Sequence, residues 1–411
     1  MRTAVIGGGA SGMIAAVESA RYKDEVTIFE HMQRIGKKLL LTGSGKCNIS
    51  NTDMDISHFH GGEKSLISAV LDACPPDETK RFLDSIGIFL KNRNGYLYPY
   101  CEQASAVLDA LRFVIRDLGI DVCTSADVKS INKEASGELT INTSQGRFVF
   151  DKVIICTGSC AQRNTGSDGS GYKLAKSLGH TVIKPLPALT NLKCEDTFFP
   201  SIAGIRTKAD VCLYESTGHH SDKKLLGSEA GELQLTKTGI SGIPVFDLSY
   251  LAIRALDNGS HVKASIDLLP DVAGEDIDKY ISDRIANNPD RCAEELLTGV
   301  LAKPLGICIC KRCQIDLKEK CSSLSDKDIR SISSMIKAFD ATVCGYGDFD
   351  NSQVAQGGVS LSEVKETLES RIVPGVYFAG EVLDVNADCG GYNLQWAQSS
   401  AITAARGQRR I

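Results

Sequence analysis

The sequence has no excess of positive charge. Lys and Arg number 46 against 51 Asp and Glu, a net charge of −5. That balance gives no general attraction for nucleic acid or an anionic membrane, so neither is expected as a partner. Long hydrophobic runs are missing too. The longest uncharged run, Cys389–Ala405, is about seventeen residues, short of the ~20 a spanning helix needs, and it holds Gly390, Gly391, Asn393, Gln395 and Gln398. No leader pattern precedes the strand-like start at Arg2. Internal repeats and low-complexity segments are absent. The 15 Cys are odd in number and scattered, which excludes a secreted disulfide framework. Reduced thiols and a cytoplasmic location are therefore expected. Neither H-E-x-x-H nor a Ser/His/Asp order occurs. The basic end, Arg406-Gly407-Gln408-Arg409-Arg410, reads as a solvated tail.

What is present is an ordinary globular composition, 42 % hydrophobic and 24 % charged over 411 residues. That length implies two or three domains, burying roughly three quarters of the unfolded surface. Arg2–Ile6 is a short apolar run, followed by glycines, a helical pattern to about Arg21 and a second short strand, Val26–Glu30. This is a βαβ unit. Further strands are expected at Asp121–Val128, Leu139–Phe150, Val153–Cys156 and Val376–Ala379, and a last helix at Leu394–Ala405. Composition changes near Pro185-Leu186-Pro187, after which short alternating segments imply a β-rich region. Residues 275–337 are denser in charge and helical in period, and Thr342–Val359 reads as β again. The expected fold is α/β, with a Rossmann-type domain split between 1–187 and 358–411. A β-rich substrate domain, 188–268 with 340–357, is inserted into it, and carries a helical insertion, 269–339.

Gly7-Gly8-Gly9-Ala10-Ser11-Gly12 fits G-x-G-x-x-G through Gly7, Gly9 and Gly12. The first glycine makes the tight turn, the second lets the backbone approach a pyrophosphate, and the third lets the helix pack on the strand. The helix start then offers N–H groups and a positive dipole end to the anion. Glu30 lies eighteen positions past Gly12 at the end of the next strand, where a carboxylate accepts from a ribose 2′-hydroxyl. Three later features point to FAD. Val153–Gly158 is a strand running into a small-residue turn. Val376–Glu381 is an apolar strand ending in Gly380 and Glu381, suited to a ribityl hydroxyl. Gly390-Gly391-Tyr392-Asn393 opens the last helix, whose start can face the pyrimidine end of a flavin and stabilise its reduced anion.

Four segments together resemble the BaiN-like family of bacterial NAD(P)/FAD-dependent oxidoreductases, which includes a bile-acid enone reductase and aminoacetone oxidase. They are Val5–Ala16, Gly36–Asn51 (G-K-K-L-L-L-T-G-S-G-K-C-N-I-S-N), Thr157–His180 and Gly357–Trp396. The resemblance implies non-covalent FAD between the two chain ends and a β-barrel-like domain with a helical insertion. It implies Gly7, Gly9, Ala10, Ser11, Glu30, Lys38, Thr42, Gly43, Gly45, Asn48, Thr157, Gly158, Gly380, Glu381, Gly391, Tyr392 and Asn393 as FAD neighbours. Two departures stand out. Ser44 and Lys46 replace Gly and Arg of the family's G-G-G-R-C-N, and Gly95-Tyr96-Leu97-Tyr98-Pro99 stands where the family often has Gly-Arg before an aromatic-Pro pair.

Cys47 lacks the nearby second Cys of a flavin disulfide reductase and reads as a packed thiol. Cys308, Cys310, Cys313 and Cys321 hold only one C-x-x-C, with no His nearby, so a metal is not expected. Tyr96, Tyr98 and Tyr100 alternate as on one strand face, and Tyr96 and Tyr98 join Cys47 and Asn393 as catalytic candidates. His58 and His60 have no carboxylate partner in sequence and read as surface residues. The expected function is hydride transfer between flavin N5 and a small organic substrate, with NAD(P)H as a transient donor because only one dinucleotide fingerprint exists. Reduction of an enone in a steroid- or bile-acid-like 3-oxo compound is the first reading. A flavin-dependent amine oxidase using O₂ and a non-catalytic flavin-binding interaction protein are the alternatives.

Overall fold

Four runs rich in Val, Ile and Phe have little polar alternation, the pattern of strands covered on both faces, and a fifth, Asp121–Thr124, is more polar and more exposed. A computed structural model, which describes residues 1–216 and 224–409, places them in one parallel sheet. They are β1 (Arg2–Ile6), β2 (Glu25–Glu30), β3 (Asp121–Thr124), β4 (Lys152–Ile155) and β5 (Val376–Phe378), in the order β5-β4-β1-β2-β3. Ile6 stands opposite both Ile155 and Phe29, so β1, β4 and β2 end level with one another. The chain leaves β1 toward β2 and later returns to the other side of β1 as β4. The carboxyl end of β1 is thus the switch point where such sheets hold ligands. Helix α1 (Ala10–Arg21) joins β1 to β2 and packs on the last helix, α2 (Tyr392–Gly407).

Helix α2 is the run that is too polar to span a membrane, and the structure gives its polar residues partners. Gln398 Nε2 donates to Ile49 O (2.8 Å), Ser399 Oγ to Cys74 O (2.7 Å), and Ser400 Oγ accepts from Gly380 N (2.8 Å). Gln395 Oε1 accepts from Ser50 Oγ at 2.6 Å. These side chains satisfy the backbone of irregular loops that have no ladder of their own. The basic end is likewise no solvated tail. Arg406 Nε donates to buried Glu18 at 2.8 Å, Gln408 is buried against Thr3 at 3.0 Å, and Arg409 pairs with Asp24. Arg410 lies outside the described residues. Among the described residues no helix is long and apolar enough to cross a membrane.

The chain divides into two compact units, Met1–Pro187 with the chain from Phe349 onward, and Ala188–Asp348. The second unit holds a closed, fully antiparallel barrel of six strands. In barrel order these are Leu192–Cys194, Gly239–Gly242, Lys224–Thr236, Arg206–Ser216, His261–Asp267 and Phe339–Tyr346. Val211, Leu213, Leu233, Leu235, Ile240, Val262 and Ile266 fill its interior. Helices Gly274–Asn287, Lys303–Arg312 and Asp326–Lys337 lie between its last two strands in sequence.

Two further sequence expectations change. The β region expected over Thr342–Val359 is two strands. Phe339–Tyr346 closes the barrel, whereas Val354–Val359 belongs with Val182–Ala188 in the first unit. The return to the first unit therefore comes at Phe349, not 358. The expected β-rich region also contains a 15-residue helix, Ile243–Asp257, with Pro244 in its first turn and Val245, Leu248, Ala252 and Ile253 buried at helical spacing.

Candidate functional site

The glycine turn after β1 separates three steric roles. Gly7 has φ +101°, and a Cβ there would lie 2.5 Å from Cys156 O. A Cβ on Gly12 would lie 1.9 Å from Gly7 O, so α1 can approach β1 only through a glycine. At Gly9 a Cβ would meet nothing within 4 Å. The middle glycine therefore faces open space at the start of α1, where no side chain caps the helix. A pyrophosphate on the helix N–H groups needs that vacancy of side chain.

Glu30 closes this corner. Its Oε2 accepts from Gly8 N and its Oε1 from Met32 N, both at 2.8 Å. A carboxylate has about four acceptor sites, so lone pairs remain for a ribose hydroxyl. His31, which sequence reasoning passed over, lies 3.7 Å from both Glu30 and Asp168.

The two chain ends meet at Lys38, whose Nζ lies 2.7 Å from Glu381 Oε2. Glu381 Oε1 also accepts from Ala355 N. Gly380 sits against Ser11, since a Cβ there would be 2.5 Å from Ser11 Oγ. Gly391 has φ +96° and caps α2. A Cβ on it would be 2.5 Å from Ser50 O and 2.9 Å from Asn48 Oδ1. The Gly36–Asn51, Gly380–Glu381 and Gly390–Asn393 segments are thus brought together. The loop Thr42–Cys47 folds through a run of positive φ at Gly43, Ser44, Gly45 and Cys47. Thr42 Oγ1 donates to Leu39 O at 2.6 Å. Near the third segment, Thr157 fills the space a Cβ on Gly171 would need, and Gly158 (φ +71°) faces Ser167.

Among the buried polar atoms of these segments, Asn48 Oδ1, Ser167 Oγ and Tyr172 Oη have no hydrogen-bond partner. Left bare, each costs about 1–3 kcal/mol. A polar ligand that satisfies them removes that cost, so the residues present fit a dinucleotide. Ser167 and Tyr172 lie in the T-G-S-D-G-S-G-Y stretch, but no pattern in it marks those two side chains.

A family model, HI0933-like protein Rossmann domain, matches residues 1–407. The chain is 38 % identical over 408 residues to the 3-dehydro-bile acid delta(4,6)-reductase of Clostridium scindens, with 98 % of each covered. The chain belongs to the HI0933-like family. It is also 25 % identical over 419 residues to the ribosomal RNA dihydrouridine synthase of Haemophilus influenzae, covering 98 % of this chain and 96 % of that one. Among solved structures it is similar to the 3-ketosteroid delta1-dehydrogenase of Sterolibacterium denitrificans, with TM-score 0.50, 11 % identity and 98 % of each chain covered, a likeness of fold alone.

The remaining candidates of this HI0933-like chain are placed as follows. Cys47 is fully buried, and burial pushes its thiol up to about 11 against a hydrogen bond from Thr42. It stays protonated at neutral pH and is a packing residue. Asn393 does not project as a catalytic amide. Its Oδ1 accepts from Ala387 N (2.9 Å) and its Nδ2 donates to Ala387 O (2.7 Å), so it closes the glycine turn before α2. Tyr96 and Tyr98 lie on the strand Tyr96–Pro99, where Tyr96 pairs with Asn51 and Tyr98 with Lys91. Burial raises the Tyr98 phenol, opposed by Arg93. Cys310 and Cys321 direct their sulfurs at Ala293 O and Cys292 O, and burial pushes Cys310 up to about 12. Among the described residues, no three His, Cys, Asp or Glu side chains are grouped to hold a metal ion.

His58 and His60 depart most from expectation. The strand Phe59–Gly61 pairs antiparallel with Val385–Ala387, and Asp388 follows at once. Its Oδ2 lies 3.0 Å from His58 Nδ1 and its Oδ1 2.6 Å from His60 Nε2. The carboxylate on Nδ1 is thus supplied from 330 positions away, while Asp53, five positions before His58, lies 3.3 Å from Nε2 and is the one local signal.

Proposed function

We propose that this FAD-dependent oxidoreductase reduces the C=C bond of an enone in a steroid- or bile-acid-like 3-oxo compound, with NAD(P)H as the electron donor. The open face of Gly9 at the start of α1, beside Glu30, is the observation that carries cofactor binding. The name of the relative at 38 % identity supports the substrate class. Net charge −5 argues for a small molecule over a polyanion.

The chain's residues divide the work. The N–H groups at the start of α1 hold the pyrophosphate. Glu30 would take the ribose hydroxyl, the Lys38–Glu381 pair and Gly380 would line the ribityl chain, and the start of α2 at Gly391 and Tyr392 would face the pyrimidine end. When bound, FAD supplies hydride chemistry that no side chain can. The protein orients the substrate, excludes water and places a positive helix end where negative charge develops.

Anaerobic photoreduction of the purified holoenzyme, followed by cyclohex-2-enone or 4-androstene-3,17-dione, an amine series, and then air, tests this reading. Fast reoxidation by an enone and slow reoxidation by air are expected. The reverse order, with turnover of amines, would make it an oxidase. No reoxidation by any small molecule would leave a flavin-binding protein without turnover. Reoxidation only by uridine-containing RNA would align it with the relative at 25 % identity.

A further inference from the structure

Enone reduction leaves an electron pair at the substrate α-carbon, so the reading above requires an acid. We infer that His58, oriented by Asp388, is that acid, and that His60 holds Asp388 in place. The inference rests on the enone reading.

The geometry is that of a base, an orienting carboxylate and a second clamp. Asp388 gives one oxygen to each imidazole, so neither ring can turn without breaking a short contact. The ionised carboxylate fixes the His58 proton on Nδ1 and leaves Nε2–H as the transferable one, the role logic of nucleophile–base–orienter sites. The His58 ring also stacks on Tyr392, with centroids 4.3 Å apart and planes 15° apart. Tyr392 is the first residue of α2. His58 is thereby fastened to the helix start assigned to the flavin's pyrimidine end. The adjoining turn is held from the other side by Asn51 Nδ2 on Gly390 O at 3.0 Å.

Asp55, which caps the turn Ile56–His58 by accepting from Ser57 N, also interacts with His58 through space. Asp53 Oδ2 lies 3.3 Å from His58 Nε2 on a side chain that is 64 % exposed, so this outer contact, unlike the one on Nδ1, can give way to a substrate. Lys64, on the helix Lys64–Ala73, donates to Ile56 O and Phe59 O, and burial lowers its ammonium against the pull of Asp388. Burial works against charge on His58, but Asp388 and Asp53 outweigh it and raise the imidazole above its ordinary value. The shift favours the protonated ring, the form an acid needs.

The step balances as a simple proton transfer. The Nε2–H bond breaks with its electrons left on nitrogen, and a C–H bond forms at the α-carbon of the enolate. The neutral imidazole regains a proton from water. Burial raises the Tyr98 phenol further from neutral pH, so it gives no midpoint there, and a pH profile separates it from a histidine acid.

The test is single-turnover reoxidation of the photoreduced holoenzyme by cyclohex-2-enone and 4-androstene-3,17-dione, from about pH 5.5 to about 9. Wild type is expected to slow as pH rises through a midpoint above the ordinary ~6.5 of histidine. H58Q should be about 10²–10⁴-fold slower, with that limb gone. D388N should shift the limb to lower pH. An NMR titration of the histidine rings, read without substrate, should show the His58 midpoint fall in D388N. The visible flavin spectrum checks that each variant is loaded, and D388N carries the test if H58Q does not load. An H58Q enzyme reoxidised at the wild-type rate with the wild-type profile overturns this assignment alone. A wild type that no enone reoxidises overturns the enone reading and the assignment together.

Discussion

Gly9→Ala should separate cofactor binding from folding. Gly9 has φ −77° and ψ −170°, ordinary extended backbone for any residue, and its Cβ would meet no protein atom within 4 Å. Glycine is a better N-cap than alanine, and the exchange costs roughly 0.5–1 kcal/mol. The stiffer unfolded chain returns about 0.4–1 kcal/mol. The cofactor-free variant should therefore keep wild-type stability to within about 0.5 kcal/mol. The added methyl stands where phosphate oxygens approach the helix start. Loss of two charge-assisted hydrogen bonds, at about 1.5–3 kcal/mol each, predicts about 3–6 kcal/mol of lost affinity. That is a rise in Kd of roughly 10²–10³ or more. Gly12→Ala is the contrast, since its Cβ would lie 1.9 Å from Gly7 O and must disturb α1 with or without cofactor. Urea unfolding of the deflavinated variants, followed by circular dichroism, and FAD titration measure both quantities. Wild-type FAD affinity in a stable Gly9→Ala protein would refute the assignment of that open face.

Glu30→Ala orphans the Gly8 and Met32 N–H groups as well as removing the ribose acceptor. It is predicted to cost about 2–4 kcal/mol in the cofactor-free protein and about 1–3 kcal/mol more in FAD binding, read by the same two assays. Unchanged stability without cofactor would show that those two contacts are not made. His180 Nε2 is paired with Ser370 Oγ at 2.7 Å, and burial lowers its imidazole pKa against the pull of Glu363. The folded state thus resists a proton that the unfolded chain takes at about pH 6.5, so stability falls as pH drops below that value. H180N should flatten this limb in unfolding curves between about pH 5 and about 6.5, and an unaltered slope would exclude His180 as its source.

The cofactor corner was legible because it is local. Gly7, Gly9, Gly12 and Glu30 fall within one βαβ unit, and each needs a residue type that spacing alone exposes. The late strand and the glycines before α2 were legible for the same reason. The split of the fold was legible from the change at Pro185-Leu186-Pro187, but its second boundary was not. Val354–Val359 has the same apolar pattern as a barrel strand, and only its pairing with Val182–Ala188 places it in the first unit. The helix Ile243–Asp257 was hidden among strands because its apolar face is almost continuous. The Asp388 partner of His58 and His60 and the Glu18 partner of Arg406 lie more than 300 positions away and are set by tertiary register, whereas Asp53, five positions before His58, was a local signal. Asn393 shows the converse, since a residue well placed by motif is consumed by its own turn.

The central claim is that the two ends of the chain close around FAD, and Trp396 reports on it directly. It is the chain's one tryptophan, is 2 % exposed, and donates Nε1–H to Gly380 O at 3.2 Å. Titrating FAD into deflavinated protein should quench Trp396 emission saturably, with a break at one FAD per chain, while a bound-flavin visible band appears. Tryptophan emission that stays constant while FAD passes through gel filtration unbound would contradict the account.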